Sequence, residues 1–349
     1  MKKETFAEKF ARKSFESAAV QKSWQVHTQA FGPILAPAFV ENYQARIHLA
    51  NALNHISKRD LKAGIQKLRL IEKDCESDAD KAAWLFCMGL CMEMAGMKEE
   101  MVSFYQNAGK FGHRFYLPYL KIAKAAHNDA VFEVAEENYE NAIRCLNEGE
   151  DVAQKQMILG SVYTNYASCL TMMHRYEEAE KALQHSCEIL PRLQGRAASE
   201  AILAAAKGET ERARSIVAQI KEQEPTVFSM TSKMVNEILE KKHPHFSPVA
   251  IKDGWEAEFW AWFAENEEEF LKNLDAEDYA SVFAAVQPKL KQMFSFMERD
   301  PELAFEKAEN GYRMIFADFF MVSLAESYRK LIEAMPSSIA EKWSLKTVH

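Results

Sequence analysis

Apolar positions along the chain recur every three to four residues over stretches of helical length, and between residues 39 and 226 the helices themselves recur. Ala167 and Ala201 stand 34 residues apart, as do Ala179 and Ala213, and Pro191 and Pro225. The same separation relates Gly89 to Ala123 and Met101 to Ala135. A period of 34 holds two helices of about 13–15 residues and two short turns. Small residues fall where two helices cross closely, and a proline after the second helix stops it. Ala135 and Ala179 are 44 apart, so ten extra residues, near NEGEDVAQKQ, separate the two pairs of units.

The spacing predicts four units, over 81–112, 116–149, 160–191 and 193–225. A more degenerate unit precedes them from 39 to about 75, with helices around ARIHLANALNHI and DLKAGIQKLRLIEK. Residues 1–30 read as one or two helices that cap the open end of a stack, which repeat arrays require. Gly32-Pro33 and Pro37 then break the chain, and a further helix follows the last unit, over 226–242.

Beyond this the pattern changes. KKHPHFSPV carries two prolines within five residues and reads as a linker. GWEAEFWAWFAENEEEFLKNL begins as a helix with Trp255, Phe259, Trp262 and Phe263 near one face, then runs into an acidic turn. DYASVFAAVQPKLKQMF is a second helix, kinked or broken at Pro288. Alternating apolar segments on either side of Asn310-Gly311 predict a β-hairpin, Leu303–Glu309 with Tyr312–Asp318, because a tight turn of this type needs positive φ at both central residues. SLAESYRKLIEAM is a helix halted near Pro336, and EKWSLKTVH supplies a last strand. The domains are therefore expected at 1–38 (capping helices), 39–242 (repeats), 243–254 (linker) and 255–349 (an α+β domain).

The repeat units resemble the tetratricopeptide-repeat family. The third unit carries the likeness best, with Tyr163, Tyr166, Ala167 and Leu170 on its first helix, YEEAEKAL on its second and Pro191 at its close. The fourth shows Ala201, Ala213, Val217 and Pro225, and the second Tyr119, Ala123, Ala135 and Tyr139. In the first, Met101 stands where a small residue is usual. The resemblance implies a mainly α fold, a tetratricopeptide-like α-solenoid of helical hairpins, and here it precedes a small α+β C-terminal domain. A less regular α-solenoid is the competing architecture. In the C-terminal domain Trp260, Trp262, Phe263, Asn266, Phe305, Glu306, Pro336 and Trp343 look like an uncharacterised bacterial domain with a small ferredoxin-like sheet, which implies no known chemistry.

Composition agrees with this picture. The chain has 12 Gly and 10 Pro in 349 residues, against roughly 24 and 17 at average usage. So few turn formers argue against sandwiches, propellers and repeated phosphate-binding loops. The net charge of −8 is confined to one region: from Pro248 onward there are 11 Lys/Arg and 19 Asp/Glu, and the chain before it holds 32 of each. No basic excess draws the protein to nucleic acid or to a membrane surface. Two N-terminal lysines are followed by no apolar core, with Glu4 and Glu8 interrupting it, so no signal peptide is expected and the reading is cytoplasmic. The six cysteines then read as reduced thiols.

Little in the chain suggests chemistry. No phosphate-binding, dinucleotide-binding, nucleophile-elbow or zinc-protease motif appears, so no catalytic residue, cofactor or metal is expected. Cys87 and Cys91, four apart on a helix, read as core. His243 and His245 read as an exposed linker, and Glu265, Glu267, Glu268 and Glu269 as a solvated face. What remains is binding. The family resemblance implies that the first helix of each unit lines a concave groove for a peptide or protein partner. It places Lys121, Lys124 and His127 there in the second unit, and Asn165, Ser168 and Thr171 in the third. The fourth offers only Ala198, Ile202 and Ala205. The expectation is a non-catalytic protein- or peptide-binding module. The rivals are an enzyme with its site around Trp260, Asn266, Glu306 and Asp318, and a peptide-sensing regulator.

Overall fold

The structure, a computed structural model, describes residues 6–112, 114–149, 154–249, 254–294, 296–297, 300–309 and 311–349. It is mainly α, with a small sheet near the C-terminus. Two helices open it, α1 (Phe6–Phe15) and α2 (Ala18–Leu35). The helical run of α2 is interrupted where Gly32-Pro33 was expected to break it: two helical stretches meet at a kink at Phe31, whose φ of −130° is not helical. Helical hairpins follow: α3 (Tyr43–Ser57) with α4 (Leu61–Ile71), α5 (Asp78–Ala95) with α6 (Lys98–Phe111), and α7 (Tyr116–Asn128) with α8 (Phe132–Glu148). Then come α9 (Lys155–Met172), α10 (Tyr176–Ile189), α11 (Arg196–Ala206), α12 (Thr210–Gln223) and α13 (Pro225–Leu239).

By contact the chain divides into two compact units, one of residues 1–169 and 181–193, the other of 170–180 and 194–349. In the first, each hairpin packs on itself and on the next, α4 on α5 and α6 on α7. The small residues of the repeat explain why. Ala123, Ala135, Ala167 and Ala179 are fully buried, as are Ala201 and Ala213. Gly89 is buried too, and a Cβ there would lie 2.5 Å from the ring of Tyr105, so only glycine lets α6 approach α5 this closely. Asp80 starts α5 with a reciprocal cap: its backbone N–H donates to Ser77 Oγ (3.1 Å), and its carboxylate accepts the Ser77 N–H (3.0 Å). The same carboxylate accepts the N–H of Phe39, which sits at a φ of 51°.

In the second unit α11, α12 and α13 enclose an aliphatic core of Ala201, Ala204, Ala205, Ala213, Ile220, Val235 and Ile238. Farther along stand α14 (Trp255–Asp275), α15 (Tyr279–Met293), β1 (Leu303–Ala308), β2 (Gly311–Ala317), α16 (Val322–Glu333), α17 (Ser337–Ala340) and β3 (Trp343–Val348). The sheet order is β1-β2-β3: β1 pairs antiparallel with β2, and β3 parallel, after the α16 crossover. The hairpin and the last strand lie where the alternation placed them. Asn310 lies outside the described residues, but Gly311 has a φ of 127° and no room for a side chain, since a Cβ would meet Lys342 O at 2.1 Å.

Three expectations are corrected here. The acidic run is not a turn, because α14 continues through it to Asp275. Pro288 does not break α15, which runs on to Met293 with the ring exposed. His245 is not exposed: it is buried, at 7% exposure. The surrounding stretch is pinned to the start of α16, where Ser323 N–H donates to Pro244 O (3.0 Å) and Ser323 Oγ to Ser247 O (2.7 Å). The N–H of Val249 donates in turn to Ser323 Oγ (2.8 Å).

Candidate functional site

Along α7, residues 117, 120, 121, 124, 125 and 128 follow helical spacing and form one stripe. Leu117, Leu120, Lys121, Lys124, Ala125 and Asn128, with Asp129 beyond them, make one wall of a cavity of about 630 Å³. The other wall is Glu93 and Gly96 at the end of α5, and Lys98 and Met101 at the start of α6. That volume lies within the roughly 300–1,000 Å³ usual for ligand sites. Gly96 makes the corner. At a φ of 73° it ends α5, its N–H donating to Glu93 O (3.2 Å) and that of Met97 to Met92 O (3.0 Å). Met101 and Leu117, both buried, give an apolar floor.

The polar groups are arranged above it. Lys121 Nζ donates to both Glu93 oxygens, at 3.0 and 2.9 Å, with each side chain about a third exposed. Such a half-solvated pair contributes about 0–1 kcal/mol. Glu93 also accepts the Tyr105 hydroxyl at 2.6 Å. Burial, and then the Glu93 carboxylate, push the Tyr105 phenol far above its ordinary value, so it stays a donor. Lys98 pairs with Asp129 at 2.6 Å. Lys124 and Asn128, one turn apart and both exposed, have no side-chain partner among the described residues. The cavity thus holds three ammonium groups against two carboxylates. Met94 and Met97, close to Gly96 in sequence, are exposed.

Of the six groove residues expected from sequence, Lys121 and Lys124 line this cavity and four do not. His127 turns toward α8, its Nδ1 3.2 Å from the Tyr139 hydroxyl and its ring edge-on to Phe132. Asn165 and Ser168 lie half-buried on α9, while Thr171 is closed off, at 2% exposure. Sequence reasoning missed Glu93, Met101 and Asn128 as cavity groups, and Tyr105 as the buried donor behind Glu93. Glu93 stands one 34-residue period before His127, but that position lies off the cavity, so the repeat carried no signal for it.

Elsewhere several of the groups singled out in the sequence are buried or held by local partners. Cys87 and Cys91 are fully buried, and burial pushes the Cys91 thiol up to about 11. Trp260 donates to Leu331 O (2.9 Å), Asn266 to Trp262 O (2.8 Å), and Glu306 pairs with Arg313 (2.6 Å). Asp318, at 2% exposure, accepts the Phe320 N–H (3.0 Å) and lies 3.0 Å from His349 Nδ1. Within the acidic run, Glu265, Glu268 and Glu269 are exposed, but Glu267 is half-buried and accepts the Trp343 indole N–H at 3.1 Å. Among the described residues no group of three or more His, Cys, Asp or Glu is placed to hold a metal ion, and no helix is long and apolar enough to cross a membrane.

No family model matches the chain, and no curated protein matches it. Among solved structures it is similar to the crystal structure of NprR in complex with its cognate peptide NprX, at 16% identity over 82% of this chain and 96% of that one. The TM-score is 0.28, a likeness too slight to carry a fold or a function across.

Proposed function

We propose that this chain is a protein- or peptide-binding module of tetratricopeptide type, and that its partner enters the cleft between α5, α6 and α7. The observation that supports this is the pairing of two polar groups without a side-chain partner among the described residues, Lys124 and Asn128, with an apolar floor of Met101 and Leu117. A few fixed polar groups over an apolar surface are what ligand sites commonly present. The floor takes a side chain of the partner, and Lys124 and Asn128 orient its backbone or charge. Asn165, half-buried on α9, belongs to this reading as a further contact for a longer partner. No catalytic step and no cofactor is part of it, and the α+β region from 255 to 349 is accessory.

Selection from a randomised peptide library on the purified full chain tests the proposal. The expected result is a set of related peptides whose binding falls about tenfold or more in Lys124→Ala/Asn128→Ala, a loss in the range of a hot-spot truncation. No retained peptide, or retained peptides indifferent to both substitutions, overturns it.

A further inference from the structure

Three histidines meet around one phenylalanine where the turn after α9, the end of α13 and the start of α16 come together. The rings of His174, His243 and His245 lie 5.7, 5.3 and 5.7 Å from that of Phe246. His174 is stacked on His245 at 6.2 Å, and His243 stands edge-on to His245 at 6.4 Å. Hydrogen bonds fix the neutral forms. A carbonyl only accepts, so His174 Nε2, 2.8 Å from Phe320 O, carries the proton, and its Nδ1 accepts the Tyr176 hydroxyl at 2.8 Å. His243 Nδ1 accepts the His245 backbone N–H at 3.3 Å, so it bears no proton. A second proton on His243 goes to Nδ1, where it sets one donor against another.

The cluster sits on a strap. Residues 243–249 follow α13, and they hold the start of α16. Pro244 O accepts the Ser323 N–H (3.0 Å), Ser247 O accepts the Ser323 hydroxyl (2.7 Å), and the Val249 N–H donates to that hydroxyl (2.8 Å). The turn inside the strap closes on His243, whose carbonyl accepts the N–H groups of Phe246 and Ser247, each at 3.0 Å. Of the charged groups around the cluster, Glu237 on α13 favours the charged form of His243, but burial outweighs it and holds that imidazole below its ordinary value. Lys242 is paired with Glu240. Asp318 is engaged by the Phe320 N–H and by His349, whose ring stacks on Phe320 at 4.7 Å.

We propose that His174, His243 and His245 form an acid-release latch, closed while neutral, whose protonation frees the 243–249 strap from the start of α16. Imidazolium rings packed this closely on an apolar ring repel one another, and a proton on His243 Nδ1 removes the bond that braces the strap's turn. The released strap takes up protons near the ordinary histidine value of about 6.5, the closed latch only at lower pH. Closure is therefore favoured above that value and is lost as pH falls below it. The strap leads from α13 toward α14, so its release loosens the attachment of the α+β region to the last helix before it.

Amide hydrogen exchange followed by NMR on the full chain, at about pH 7.5 and about pH 5.5 and corrected for the intrinsic rate at each, tests the latch. On acidification, protection of the Ser323 and Val249 amides is expected to fall about tenfold further than that of Val286 in α15, the weight of one pKa unit. The Cε1–H resonances of His174 and His243 are expected to titrate over the same range. His174→Gln/His243→Gln keeps a donor toward Phe320 O and an acceptor toward the His245 N–H but takes up no proton, and is expected to hold its protection on acidification. His245→Phe, expected to shrink the loss, serves as the second variant if the first fails to fold. Equal loss at Ser323, Val249 and Val286, histidine titration without loss at the strap, or an undiminished loss in the variant that folds overturns the proposal.

Discussion

The hydroxyl of Tyr328 is the plainest energetic liability at the scale of single residues. Its ring is fully buried, stacked on Phe316 at 4.6 Å, and the hydroxyl has no partner among the described residues. A buried unsatisfied hydroxyl costs about 1–3 kcal/mol. Tyr328→Phe is therefore expected to keep the fold and to raise the melting temperature, by an amount worth about 1 kcal/mol, in thermal denaturation. Asp80 is the opposite case. It caps α5 and also holds the Phe39 N–H, in a buried place. Asp80→Ala removes a cap and orphans a donor, for a loss of roughly 2–4 kcal/mol that urea unfolding would measure. At this scale the sequence was legible wherever sterics alone decide. Ala123, Ala135, Ala167, Ala179, Ala201 and Ala213 are all fully buried, because a helix crossing tolerates only a small side chain. Glu93 was not read as a site residue, because an exposed glutamate looks the same in sequence whether or not a tyrosine from the next helix holds it.

Whole helices were legible from their period, and their ends less so. The kink at Phe31 falls just before Gly32-Pro33, whereas α15 persists through Pro288. A proline removes one hydrogen bond and crowds one carbonyl, and packing on either side outweighs that loss when the ring faces solvent. Val282, Val286 and Leu290 hold α15 in the core on both sides of Pro288, whose ring is exposed. Pro288→Ala restores the missing bond and is expected to stabilise the chain by about 1–3 kcal/mol, read as a shift of the unfolding midpoint in denaturant. The acidic run of α14 was misread for a related reason. Four glutamates in five residues suggest solvent, but Phe263 and Phe270 flank the run and are buried, so the helix is carried through it.

At the scale of the molecule, charge and titration matter more than any one contact. His48, His127 and His243 all have imidazoles held below the ordinary value, and burial is the leading cause in each. Lys67 pushes the same way on His48, while Asp74 opposes it there and Glu237 opposes it on His243. The unfolded chain takes up protons near the ordinary value of about 6.5, and the folded chain resists until lower pH. Stability contributed by these groups is thus present above that value and is lost as pH falls from 7 toward 5.5. Melting temperatures across this range are expected to decline on acidification, and His127→Phe, which deletes one of the three sites, to flatten the slope. A steady or rising melting temperature would contradict the assignment.

The parallel pairing of β2 with β3 also bears on how the chain is made. Tyr312 is joined to Trp343 in register, so the middle strand waits 31 residues of synthesis for its second neighbour. Until then one edge of a strand whose Tyr312, Met314 and Phe316 face the core has no ladder to close it. Open strand edges invite pairing with other chains. A nascent or truncated polypeptide ending before Trp343 would carry that edge bare, together with the pocket of Phe263 and Phe305 that the Trp343 indole fills. The short third strand thus closes the open edge of β2 and covers that pocket, so a chain cut before Trp343 is expected to aggregate, which light scattering would measure.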